Sequence, residues 1–247
     1  HVLIECYRSL AADRDHITYD YGDKIDSFIG LDFDYIKSKA LEIDVNQTSL
    51  FKSPENLGSG TAYMAVKDEG GNAVSLIQSN FYGIGSTIGV SDYGFFLHNR
   101  GAGFNLIENH PNKIAPLRKP LHTLSPTIWS KDGKLDMIIG TRGGRYQPQL
   151  LSQFILPLLL ESSSLEQVMK KSRWTIDYFD EHTESHLIFE PGTDKAIIKD
   201  LEQKGHNIKI EKSMQGSYGP ISAICKDNNG QWSGVADSRV ETSKAIY

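Results

Sequence analysis

Residues 57–79 do more than any other stretch to limit what this chain can become. Leu57-Gly58-Ser59-Gly60 has loop composition, and at Thr61 the texture changes to the extended, apolar-rich run Ala62-Tyr63-Met64-Ala65-Val66. A second such run, Ala73 to Ser79, follows Gly70-Gly71-Asn72. Two short extended runs about a glycine turn predict a β-hairpin, with Thr61 at its edge. Upstream, residues 44–60 lack periodicity and read as an exposed, cleavable linker.

Around this hairpin the elements are mixed. Leu3, Cys6, Tyr7 and Leu10 recur at helical spacing over residues 1–14. A second helix is expected over residues 32–43, capped by Asp32 or Asp34. The segment 83–94 is glycine-rich and turn-like, and Phe95-Phe96-Leu97 is a short strand. A second hairpin is expected about Lys131-Asp132-Gly133. A long buried helix follows over residues 147–160. Ser163-Ser164-Leu165-Glu166 carries a capping-box pattern for a helix ending near Ser172. Leu187 to Phe189 is a strand, and residues 193–204 are a helix closed by Gly205. Short strands at 208–210, 221–225 and 232–236 finish the chain. Hairpins with helices set apart predict an α+β fold.

The balance of charge narrows the function. Lys and Arg number 26 against 31 Asp and Glu, a net charge of -5, which gives no electrostatic footing for nucleic acid. The longest apolar run, residues 154–160, is far too short to span a bilayer. Two cysteines, Cys6 and Cys225, make no disulfide scaffold and fit a reducing, cytoplasmic setting. The chain opens at His1 inside a helical pattern with no cap, so it reads as the later part of a longer protein, with any targeting signal upstream.

Few local patterns carry chemistry. His182 and His186 stand four apart, but without HExxH or a cysteine cluster they predict no metal, and no cofactor motif is present. Gly143-Gly144 lies between a strand and a helix start, where bare backbone N–H groups can face a substrate oxygen; a tight turn without chemistry explains it equally well. Thr61 is a poor nucleophile unaided. If the Gly60–Thr61 bond were cut, the freed α-amino group, with an ordinary pKa near 8, would supply a base on the same residue. By itself a Gly-Thr pair before a strand is an ordinary strand start.

The ordered set of motifs changes that reading. Gly60-Thr61-Ala62-Tyr63, Asp68-Glu69-Gly70-Gly71-Asn72-Ala73-Val74-Ser75, Gly94-Phe95-Phe96-Leu97-His98-Asn99-Arg100, the run from Arg118 to Thr127, and Gly140-Thr141-Arg142-Gly143-Gly144 follow one another as in γ-glutamyltranspeptidases. The chain resembles that family of N-terminal-nucleophile hydrolases over nearly its whole length. Ala11-Ala12-Asp13-Arg14 is the clearest match before residue 60, and Ala236-Asp237-Ser238-Arg239 marks the matching end. The resemblance implies a four-layer αββα sandwich. Residues 1–60 would be the end of the large-subunit region and 61–247 the small-subunit region, both parts of one domain. It implies self-cleavage before Thr61, with Thr61 as nucleophile and base, Gly143 and Gly144 as the oxyanion hole, and Ser79 supporting the nucleophile. Asn80 matches a substrate-site asparagine, with Phe81 as the competing match.

Departures from the pattern bear on the substrate. Where glutamyl-specific members hold an ammonium group with an Asn-Gln pair and an aspartate, this chain has Asn99, Arg100 and Gly103. His122 and Thr123 replace two carboxylate-binding serines. Losing the aspartate removes a charge-assisted contact of about 1.5–3 kcal/mol, and Arg100 would repel an ammonium group and attract an anion. The segment between Phe104 and Pro120 is short for the family's lid loop. The pattern is closer to the transpeptidase-related, acylase-like branch. The expected activity is hydrolysis or transfer of a γ-glutamyl or related acyl group; the rival is an unprocessed, non-catalytic relative acting as a binding module. Expected partners are a small amide or peptide substrate, the upstream large-subunit segment of the same precursor, and a second copy in a homo-oligomer.

Overall fold

The computed structural model describes residues 1–22, 30, 32–49, 61–161, 163–177, 186–214, 216–227, 229–241 and 243–246. Residues 50–60, including the expected linker end and Gly60, lie outside the described residues, as does His182. Helices are α1 (Val2–Ile17), α2 (Phe33–Leu41), α3 (Gln147–Leu160), α4 (Leu165–Lys170) and α5 (Lys195–Gln203). Strands are β1 (Thr61–Lys67), β2 (Ala73–Ser79), β3 (Gly89–Val90), β4 (Phe95–Phe96), β5 (Thr127–Lys131), β6 (Lys134–Thr141), β7 (Trp174–Asp177), β8 (His186–Phe189), β9 (Ile208–Ile210), β10 (Ile221–Lys226) and β11 (Trp232–Ala236).

The central sheet runs β11-β10-β6-β5, antiparallel throughout. Alternation along β6 sorts its two faces. Met137 and Ile139 join Ala223 and Cys225 of β10 against Leu150, Leu151 and Phe154 of α3 and Val168 of α4. Ile138 and Gly140 point the other way, toward the β1–β2 hairpin, which crosses β6 and β10. The closeness of that crossing rests on Gly140: a Cβ there would stand 2.1–2.5 Å from the ring of Tyr63. A helical layer, the sheet and the hairpin are therefore stacked in that order. A smaller sheet, β7-β8-β9, packs with α5 and Ile4 of α1 around Trp174, Ile176, Leu187 and Phe189.

Most expected elements form where the sequence places them, with four differences. Asp32 is the cap of α2, accepting from the Tyr35 N–H at 2.8 Å, but no residue of α2 is buried despite its apolar spacing. The capping box of α4 forms one residue later than Ser163/Glu166: Ser164 Oγ accepts from Gln167 N–H and Gln167 Oε1 from Ser164 N–H. That helix stops at Lys170 because Lys171 turns extended and leads into β7, which the sequence does not announce. Within the glycine-rich segment, β3 and β4 pair as a short ribbon. The Asp132-Gly133 turn forms as expected, both residues at positive φ as a two-residue hairpin turn requires.

Candidate active site

Thr61 is the first residue of β1 and Ser79 the last of β2, and they stand opposite each other. Antiparallel pairing brings together two hydroxyls 18 residues apart: Thr61 Oγ1 donates to Ser79 Oγ at 3.0 Å. Ser79 Oγ also accepts from the Phe81 backbone N–H at 3.1 Å. With those two bonds accepted, the Ser79 proton is left for a further acceptor. Phe81 reaches this position at φ +77, a conformation rare for a bulky side chain and a mark of stored strain. Its ring is buried at 1% exposure, against Leu121 and Tyr82.

The two asparagines expected at the substrate hold the loop that follows Ser79. Asn99 Oδ1 accepts from the Tyr82 N–H at 2.9 Å, and its Nδ2 donates to the Gly85 carbonyl at 3.0 Å. Asn80 Nδ2 donates to Ile84 O at 3.3 Å, and the Asn80 carbonyl accepts from Asn99 N–H at 3.1 Å. Gly85, not singled out in the sequence, sits at φ +92, where a Cβ would meet the Leu97 carbonyl at 2.3 Å.

Arg100 opens a 3-10 turn ending at Gly103 and is buried. Its guanidinium lies over the Phe81 ring, 4.9 Å from the centroid, and donates weakly, at 3.5 Å, to Ser79 O and to Thr123 Oγ1. Burial lowers its pKa. His122 is near enough that desolvation, and then the Arg100 charge, hold its pKa below the ordinary imidazole value. Thr61, Ser79, Arg100, Thr123 and His122 thus form one neighbourhood.

Gly143 and Gly144 take φ +125 and +53 just after β6, Gly144 opening a single 3-10 turn that runs into α3. Their link to Thr61 is through β6: Tyr63, on the same face of β1 as Thr61, covers Gly140. The atoms nearest to a Cβ at Gly143 belong to Gly219 and Leu150. Gly219, which the sequence reading passed over, supports the pair. At φ +70, a Cβ on it would fall 1.8 Å from the Arg142 carbonyl. Its own carbonyl lies 2.9 Å from Thr141 Oγ1 and accepts from Arg173 Nη1 at 3.1 Å. The Gly219-Pro220 pair was the available signal. Arg173 is in turn paired with Asp237 at 2.6 Å, and Arg239 joins Asp237 to Glu190, all four side chains within 5% of complete burial. Burial raises the Asp237 carboxyl, but Arg173 and the Ile221 and Arg239 N–H groups outweigh it and hold the pKa low.

Away from this neighbourhood, His1, Glu5 and His206 bring three ligand-type atoms within 4.8 Å of one another. His1 Nδ1 and His206 Nε2 are already hydrogen-bonded at 2.8 Å. The Glu5 oxygens accept from Thr48 Oγ1 and Ser49 N–H, both at 2.9 Å, and face Arg8. These bonds tie the three side chains into one polar network, in which the buried His206 Nδ1 has no hydrogen-bond partner.

The mixed helix-and-sheet architecture is that of the N-terminal-nucleophile hydrolases. The chain belongs to the γ-glutamyltranspeptidase family, whose sequence profile matches residues 1–247. It is 36% identical over 242 residues to the glutathione hydrolase-like YwrD proenzyme of Bacillus subtilis (strain 168), covering 97% of this chain and 45% of that protein. It is 30% identical over 249 residues to the oxamate amidohydrolase proenzyme of Klebsiella pneumoniae, covering 100% and 47%. The cephalosporin acylase from Bacillus halodurans superposes with a TM-score of 0.80 at 26% identity, over 99% of this chain and 44% of that one. The chain thus spans somewhat less than half the length of these relatives.

Proposed function

We propose that this chain is the nucleophile-bearing part of an amide-bond hydrolase or acyltransferase that acts on γ-glutamyl or related acyl amides after cleavage at Gly60–Thr61. The observation that carries the proposal is the 3.0 Å bond from Thr61 Oγ1 to Ser79 Oγ at the head of β1. A nucleophile there would be held by the strand ladder and a second hydroxyl instead of by a mobile loop. In this reading the freed α-amino group takes the Thr61 proton as Oγ1 attacks the substrate carbonyl. The Gly143 and Gly144 N–H groups stabilise the oxyanion. The protonated amine returns its proton to the leaving nitrogen, giving an ester on Thr61, which water or an acceptor amine then resolves. Asn99 and Asn80 shape the loop behind Ser79, while Arg100, His122 and Thr123 face the acyl group. The activities for which the relatives are named, glutathione hydrolase and oxamate amidohydrolase, are both amide cleavages and support this reaction class.

In the same reading residues 1–60 close the large-subunit region and 61–247 form the small-subunit region of one four-layer αββα domain. The outward face of the hairpin supports this: Met64, Val66, Val74 and Leu76 are exposed together. The upstream half of a precursor as long as the relatives would cover it as the missing layer. Intact mass of the full-length protein tests the proposal. A fragment beginning at Thr61 is expected, together with amidase activity, and Thr61→Ala should abolish both. An uncut chain after long incubation, or activity persisting in the variant, would refute it.

A further inference from the structure

Three of the buried arginine side chains among the described residues are paired with acids. Arg173 meets Asp237, Arg239 meets Glu190, and Arg8 meets Glu5. Arg100, at 7% exposure, pairs with no carboxylate among the described residues. Its acceptors among the described residues are a backbone carbonyl and a hydroxyl, each at 3.5 Å, the outer limit of a hydrogen bond. A guanidinium has five N–H donors in a planar fork that fits a carboxylate two-to-two, so most of its capacity is unspent. The location decides what would use it. The carbonyl Arg100 touches belongs to Ser79, whose hydroxyl binds Thr61. The turn that Arg100 opens offers no acid: a Cβ at Gly103 would lie 3.3 Å from the Leu121 carbonyl, a crowded place for a side chain. The Phe81 ring screens the guanidinium from water, which strengthens any charge pair formed there.

We propose that Arg100 determines specificity at the Thr61 site by receiving a carboxylate on the acyl donor. The donor class is the half-amide of a short dicarboxylic acid, with no α-ammonium group. An ammonium there would meet a positive charge and find no acid among the described residues. This inference rests on Thr61 being the nucleophile, and the experiment separates the two. With the mature full-length protein, kcat/KM is measured for the p-nitroanilides of succinic, glutaric, butyric and γ-linked glutamic acid. The anionic acyl groups should exceed butyryl by at least about tenfold, the scale of a charge-assisted bidentate contact, and glutaryl should exceed γ-glutamyl. Arg100→Gln should bring the anionic-to-neutral ratio to within about threefold of one, and Arg100→Lys should keep part of it. Equal use of butyryl and succinyl groups, preference for γ-glutamyl, or a ratio unchanged in Arg100→Gln overturns the proposal. Should Arg100→Gln fail to fold, the substrate series on the unaltered protein decides. If no anilide is cleaved, the Thr61 reading fails first. Calorimetry on Thr61→Ala with succinamate against butyramide then settles the Arg100 question: tighter binding of succinamate sustains it, and equal binding refutes it.

Discussion

Gly219 has no functional group, yet the glycine pair at residues 143 and 144 depends on it. A methyl group at 219 would have to occupy the space of the Arg142 carbonyl, 1.8 Å away, at a positive φ that resists side chains. Gly219→Ala should therefore push the Arg142–Gly143 backbone out of line. A loss of about 10²-fold in kcat with a smaller change in KM is expected, the scale of a misplaced oxyanion donor. Steady-state kinetics on the full-length protein checks this. The strand start at Thr61 and the turn at the glycine pair were legible as local signals, whereas reading them as catalytic took the whole ordered set of motifs. The asparagines were legible as residues and not as contacts. Whether an amide faces a substrate or its own loop depends on where Tyr82 and Gly85 fall in space, and no spacing rule reports that. The strain at Phe81 was invisible for the same reason.

Among the elements, the clamp of Arg173, Asp237, Arg239 and Glu190 joins the start of β7, the turn before β10 and the end of β11. Removing one charge from such a buried set leaves its partner uncompensated. Asp237→Asn should cost about 3–5 kcal/mol, measured by urea unfolding. The pH dependence has a fixed sign. The Asp237 pKa is lower folded than unfolded, so its contribution is present above the unfolded value of about 4 and is lost as pH falls below it through the folded value. The unfolding midpoint should drop in acid, and less steeply in the variant. Strands of the central sheet were readable from apolar runs bounded by turns. Strand β7 was not, because Trp174-Thr175-Ile176-Asp177 follows the polar Lys170-Lys171-Ser172-Arg173 without punctuation, and only β8 and the clamp fix it as a strand. The capping box slipped by one position because Glu166 and Gln167 are equally good partners for adjacent serines.

At the level of the whole molecule, the described chain leaves two apolar surfaces bare. One is the outer face of the β1–β2 hairpin. The other is α2, where Phe33 and Leu41 are 75% and 78% exposed. Exposed apolar surface on this scale marks a contact surface. Residues 1–247 alone should bind the hydrophobic dye ANS and self-associate in light scattering, whereas the full-length protein should do neither. Equal dye binding by both would show that the upstream region covers something else. The α+β class could be read from the order of elements, but the number of layers could not, since a sheet pattern records which residues turn inward and not what lies beyond them.

Every residue of β1, from Thr61 to Lys67, is in register with a residue of β2. A break in the chain before Thr61 would therefore take nothing from that ladder. The new terminus would be anchored from the moment it forms, with no fraying to undo and no search for its place. Chemical maturation and conformational stability would be governed by separate parts of the sequence, free to change independently.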